Sequence, residues 1–447
     1  MPFHWDYREH VSLGAYALKW LLITALLSCG VGSISAWFLL TLEWVTNMRE
    51  SFPWLLYLLP VSGVLIALLY HHFGKSAEGG NNLIVDEIHE PGAGVPGEMA
   101  PLVFIGTVAT HLCGGSAGRE GTAIQMGGSL ASLLGRALHL NADDKRTALM
   151  AGVAGGFGAV FGTPLAGAVF AMEVLAVGSV RYDALLPCLM AALVSDGVCR
   201  AWGVHHTDYH MQSVAASGSG ALLILKVSVA AGCFGLVSAM FSELNHASHR
   251  FFQYIRRPLL RPIAGAAGLI VMTRLLGTQD FLGLGVSSAN PHAVTILSAF
   301  HEGGAQSFSW LWKSLLTAVT LGSGFKGGEV TPLFYIGATL GNVLARLMAE
   351  PVSLFAALGF VAVFAGATNT PLACTIMGVE LFGAEHVVPL AVACFVAYLF
   401  SGHSGIYLSQ RVDGPKAGNG PSPGASLRSV RDARLRRNSN AGPKENS

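Results

Sequence analysis

Apolar runs of two lengths alternate along this chain. Runs near 17–46, 53–71, 184–203, 221–244, 262–276 and 386–400 read as helices able to cross a bilayer. Runs near 99–113, 121–137, 146–160, 164–178, 308–322, 332–348, 352–367 and 371–383 are equally apolar but shorter, and Gly, Pro and single charges punctuate them. A full span takes about 20 residues, so the short runs are predicted to be partial or tilted helices whose ends lie inside the protein. Helix ends buried at that depth are where membrane proteins can hold ions.

The pattern occurs twice. Phe161–Glu173 reads FGTPLAGAVFAME, and Thr368–Glu380 reads TNTPLACTIMGVE; in each, Thr-Pro-Leu-Ala is followed by a glutamate nine positions after the proline. Upstream, Gly118, Gly127 and Arg136 recur as Gly328, Gly337 and Arg346 at the same spacing. Interrupted helices at corresponding positions predict two inverted halves, about 15–215 and 216–410, enclosing a site near the middle of the membrane.

Composition agrees. Of the 447 residues, 52% are hydrophobic and 12% are charged, about half the charged share of a soluble domain, roughly 25%. That excludes an ordinary cytosolic enzyme and makes lipid the main solvent. The 55 glycines suit close helix packing or helix interruption. Seven cysteines without CxxC spacing read as small buried hydrophobes, neither a disulfide framework nor a metal site. The formal charge of +1 gives no reason to expect a nucleic-acid partner. Residues 411–447 carry eight basic against three acidic side chains, a balance of +5. That places this Gly/Pro/Ser-rich stretch on the cytoplasmic side as a disordered basic tail. Residues 1–14 are expected to be a short cytoplasmic segment, and the apolar run behind them is too long for a signal peptide.

Three segments carry candidate chemistry. Gly114–Thr122, GGSAGREGT, opens an apolar helix. Its glycines clear the way to backbone N–H groups at the positive end of the helix dipole, which makes a cradle for anions. Glu120 lies in it, either as a capping acid beside Arg119 or as a carboxylate that takes the anion's place when ionised and leaves when protonated. Gly324–Pro332, GFKGGEVTP, opens another helix, with Glu329 as its acid and the Thr331 hydroxyl as a donor. At Gly79–Ile84, Asn81 and Asn82 offer neutral amides or a plain N-cap. His205, His206, Asp208 and His210 could face one metal, but no second cluster supports that reading. Neither HExxH nor a P-loop occurs, so gradients must drive any transport.

Together these cradles resemble the CLC family of chloride channels and anion/proton exchangers over nearly all of residues 15–410. GREG at Gly118–Gly121 is the most specific element, with Glu120 where the family has its gating glutamate, and Tyr407 matches the inner-gate tyrosine. The departures resemble the fluoride/proton antiporter branch. Gly80-Asn81-Asn82-Leu83-Ile84 stands for Gly-Ser-Gly-Ile-Pro, Thr122 replaces a proline, and Gly328-Glu329-Val330-Thr331-Pro332 stands for Gly-x-Phe-x-Pro. Val174 occupies the position of the inner proton-transfer glutamate, one residue after Glu173, which is read as structural.

The resemblance implies an all-α integral membrane protein of the CLC type, built from two inverted repeats of tilted and discontinuous helices. It would be a homodimer in the cell (inner) membrane, with both termini cytoplasmic and no cofactor. It would export fluoride in exchange for protons and would not be an enzyme. Glu120 would gate and carry the proton, Glu329 would relay it, and Asn81, Gly118, Arg119, Gly121, Val330, Thr331 and Tyr407 would line the anion path. A chloride/proton exchanger or passive chloride channel of the same fold is the alternative, and a membrane sensor that binds an anion without moving it is a second.

Overall fold

The computed structural model describes residues 7–209, 211, 220–418 and 420–440. Helices follow one another as α1 (Tyr7–Ser51), α2 (Leu59–Phe73), α3 (Gly80–His89), α4 (Met99–Leu112), α5 (Glu120–Ala137), α6 (Ala142–Phe161), α7 (Pro164–Glu173) and α8 (Leu185–Ala201). The second half adds α9 (Gly220–Gln253), α10 (Leu260–Leu276), α11 (Ser309–Gly322), α12 (Val330–Met348), α13 (Val352–Thr368), α14 (Pro371–Phe382), α15 (Val387–Phe400) and α16 (Leu427–Asn440). Four stretches, Tyr7–Ser51, Pro53–Phe73, Tyr182–Ala201 and Gly220–Gln253, are long and apolar enough to cross a membrane, while α4, α7, α13 and α14 are apolar but short. Four of the long runs in the sequence therefore become membrane-length helices, while the runs near 262–276 and 386–400, expected to cross as well, form the shorter α10, of 17 residues, and α15, of 14 residues.

The repeat has a physical basis at each matched position. Gly127 on α5 lies so close to the Gly152 carbonyl of α6 that a Cβ would collide with it, and Gly337 on α12 stands in the same relation to Gly359 of α13. Each glycine thus sets a close helix crossing. Near the C-terminal end of α5, Arg136 donates to the Val95 carbonyl at 3.3 Å, and near that of α12, Arg346 donates to the Ala305 carbonyl at 3.2 Å; both acceptors lie 41 residues upstream. α6 ends at Gly162 and α13 at Asn369, both left-handed (φ 69° and 60°), and a Thr-Pro then starts the next helix. A left-handed residue closes the first helix, and proline, having no N–H to lose, opens the second.

The halves are also tied to each other. Both carboxylate oxygens of Glu173, at the end of α7, accept from the Leu372 and Ala373 amides that begin α14, at 3.0 and 2.8 Å. Glu380 on α14 returns the arrangement, accepting from the Leu165 and Ala166 amides of α7 at the same two distances. Each half supplies the cap of the other, as a two-fold between inverted repeats requires. The reading of Glu173 as structural agrees with this geometry. The core runs through the centre, where every residue of α13 is buried.

Two terminal expectations are corrected. The N-terminal segment 1–14 is not separate from the first span, because α1 is already helical at Tyr7; residues 1–6 lie outside the described residues. The stretch from 411 is not wholly disordered either. Arg411–Val412 (β2) pairs in parallel with Ala176–Val177 (β1), and α16 follows. The side chains that composition overlooks are the ones that hold it. Val412 and Leu427 are buried, Arg431 pairs with Glu243 at 2.9 Å, and Lys416 donates to Asn369 Oδ1 and the Tyr398 carbonyl. Residues 441–447 lie outside the described residues.

Candidate functional site

The two glycine-rich cradles meet head to head. Gly118 and Gly328 form an antiparallel bridge, with Gly118 N donating to Gly328 O at 2.6 Å and Gly328 N to Gly118 O at 2.8 Å. This brings the starts of α5 and α12 together, so the exposed N–H groups of one helix end face the acid of the other. Side chains have no room there. A Cβ on Gly118 would stand 3.0 Å from Glu120 Oε2, and one on Gly121 would stand 2.9 Å from Asn81 Nδ2.

Glu120 is 1% exposed. Its carboxylate accepts from the Thr331 hydroxyl at 2.6 and 2.7 Å, from the Thr331 amide at 3.1 Å and from the Arg119 amide at 3.1 Å. Arg119 Nε lies 3.6 Å from Oε1. The carboxylate therefore covers the N-terminus of α12, at the positive end of that helix's dipole, and occupies the place a small anion would take. Thr122, where the resemblance expects proline, bonds Thr107 across to α4 at 2.8 Å. Val330 opens α12 and is fully buried, but makes no hydrogen bond to Glu120.

The two asparagines separate in role. Asn82 Oδ1 accepts from the Ser409 amide at 3.0 Å and ties α3 to the segment after α15. Asn81 instead stays beside Gly121, and its Oδ1 is buried with no partner. The Tyr407 hydroxyl is buried without a partner too, and both side chains border one small cavity of about 20 Å³. Buried polar atoms nearly always find a partner, so two orphans on one cavity mark a place for a polar guest.

Glu120 and Glu329 line different cavities. Glu120 and Thr331 border a cavity of about 10 Å³ with Phe161, Phe334 and Phe360. Glu329 faces a vestibule of about 790 Å³ that also reaches Asn81, Tyr407, His246 and His249. Its Oε1 is 3.5 Å from Asn245 Nδ2 of α9. One helix start thus carries an acid toward each side, with Asn81 and Tyr407 between. Nothing in the sequence marks Asn245 or the phenylalanines, whose apolar neighbours hide them. Of the four residues of the metal reading, His206 lies 3.3 Å from Asp196 and His210 lies outside the described residues; no group of three metal-ligating side chains occurs among the described residues.

Residues 62–402 match the voltage-gated chloride channel family. The chain belongs to that family. It is therefore a multi-pass membrane protein of the CLC fold and a member of a transport family, not of an enzyme family. Among CLC relatives, a protein of Pseudomonas syringae pv. tomato named chloride/fluoride channel protein is 48% identical over 415 residues, 90% of this chain and 89% of the relative. A crystal structure described as a CLC-type fluoride/proton antiporter superposes with a TM-score of 0.82 at 34% identity, covering 92% of this chain and 100% of that one. A slow cyanobacterial Cl-/H+ antiporter shares the fold, with a TM-score of 0.72 at 19% identity, over 94% of this chain and 99% of that one.

Proposed function

We propose that this CLC protein exports fluoride in exchange for protons, with Glu120 as both gate and proton carrier. The observation that carries the proposal is the seat of the Glu120 carboxylate on the α12 N-terminus, held by the Thr331 hydroxyl and amide. Ionised, it fills the anion's place; protonated, it loses its charge and its hold on those donors, and the place is free. Fluoride is small and accepts hydrogen bonds strongly, so one hydroxyl, two amide groups and the Tyr407 hydroxyl are suitable donors along its path. Glu329, on the vestibule side, takes the proton that Val174 cannot carry. Gly118, Gly121 and Val330 shape the path, and Arg119 adds positive charge. The names of the 48% identical relative and of the 34% identical structure support fluoride as the anion.

In this reading the protein is a homodimer in the inner membrane with both termini in the cytoplasm, and the vestibule faces inward. The test is fluoride efflux from liposomes under an imposed proton gradient, recorded with a fluoride electrode and a proton indicator. Wild type is expected to move both ions in opposite directions, and Glu120→Gln to lose the proton movement. Efflux of chloride in place of fluoride, or fluoride efflux without protons, overturns the proposal.

A further inference from the structure

On the Glu120 side a proton has to reach the carboxylate through a mouth walled largely by carbon. Phe161, Phe334 and Phe360 form that wall. The polar remainder of the cavity is Arg119, His206, Thr207 and Tyr209. Its volume of about 10 Å³ is that of roughly one water-sized sphere, room for a single bridging water.

His206 is placed to use that water. It lies in the segment after α8 between exposed His205, one residue before it, and exposed Asp208, two residues after it. Its own side chain is only 10% exposed, and Nε2 is 3.3 Å from Asp196 Oδ1, within ion-pair distance but outside hydrogen-bond geometry, so both buried atoms keep a free valence for a bridging water. The ring packs so tightly on Gly162 that a Cβ there would come within 2.5 Å of Cδ2. Asp196 is fixed in turn by Arg200, whose Nε donates to Oδ2 at 2.9 Å. The other charged or titratable groups near the pair are Arg119, Glu120 and Tyr209 around the cavity and Glu380, which interacts with Asp196. Histidine is the side chain whose ordinary protonation range suits proton exchange near neutrality.

We propose that His206, backed by Asp196, is the proton-transfer residue between the solution on that face and Glu120; this rests on the fluoride/proton reading above. One proton leaves solution and adds to the imidazole ring. One proton leaves the ring and, through the bridging water, adds to the Glu120 carboxylate. Asp196 stays ionised throughout, and no electrons are transferred.

The test compares wild type with His206→Gln in liposomes, recording fluoride and protons over a series of imidazole buffer concentrations. Wild-type exchange is expected to be independent of buffer. His206→Gln is expected to exchange at least tenfold more slowly at low buffer, to recover as imidazole is added, and to keep its KM for fluoride. Wild-type rate in the variant at low buffer, or a slow rate that no buffer restores, overturns the relay. If His206→Gln does not purify folded, His206→Asn is scored by the same criteria. Wild type that moves fluoride without protons overturns the exchange reading itself, before any variant is compared.

Discussion

At the scale of single residues, the site depends on what is missing as much as on what is present. Gly118 leaves the Glu120 carboxylate 3.0 Å from where a Cβ would be, with the Gly328 carbonyl equally near and Pro332 at 2.9 Å. Gly118→Ala must therefore move the backbone or the proline ring, not just a flexible side chain. It is expected to cost about 1–3 kcal/mol in thermal unfolding and to depress fluoride efflux well below wild type. Thr331→Val keeps the shape and removes the hydroxyl. A hydrogen bond to a charged group contributes about 1.5–3 kcal/mol, so its KM for fluoride is expected to rise by roughly tenfold or more, measured by efflux at graded internal fluoride. Glu120 and Thr331 were legible in the sequence because glycines beside a lone acid mark a helix start that must be approached closely. Asn245 was not, since a single amide in an apolar helix gives no local sign of what it faces. Asn81 and Asn82 were legible only as a pair. That one turns to Gly121 and the other to Ser409 is decided by the packing of α3.

Among the elements, the shared construction of α7 and α14 is the most informative. The sequence shows the repeated Thr-Pro-Leu-Ala and its glutamate, but not which amides either glutamate meets. In fact each serves the other, because the two helices approach with their starts facing opposite ends. Removing Glu173 leaves the Leu372 and Ala373 amides of α14 without their acceptor, and removing Glu380 leaves the Leu165 and Ala166 amides of α7 without theirs. Glu173→Ala and Glu380→Ala are each expected to cost about 1–3 kcal/mol, read as a lower Tm in detergent. The effect should be larger for Glu173, which is 6% exposed, than for Glu380, which is partly open to solvent. The helices α5, α6, α12 and α13 were legible as short apolar runs because Gly, Pro and charge interrupt them. The tail helix α16 was not, because its polar composition resembles a solvated segment. It is fixed by a few contacts that no composition average reveals, Leu427 in the core and Arg431 on Glu243.

Over the whole molecule, binding and stability are linked. A site that seats fluoride only in the folded protein stabilises it by about 2.7 kcal/mol at a hundredfold excess over Kd. The Tm of purified wild type is therefore expected to rise with fluoride and not with chloride at the same ionic strength, and Thr331→Val to lose most of the increment. The fold at large was read from the sequence because membrane spans and repeats are periodic signals. The enclosure of a site by the two halves was read with it, but the residues at which they meet were not, because nothing along either half records the other's register. That meeting has a consequence for how the protein cycles. The Gly118–Gly328 pair and the exchanged glutamates rivet the halves together, so a rocking lever of one half against the other would shear amides from their acceptors. Turnover is left to swinging side chains around an immobile backbone pin, and spectroscopic labels on α7 and α14 should keep their separation throughout it.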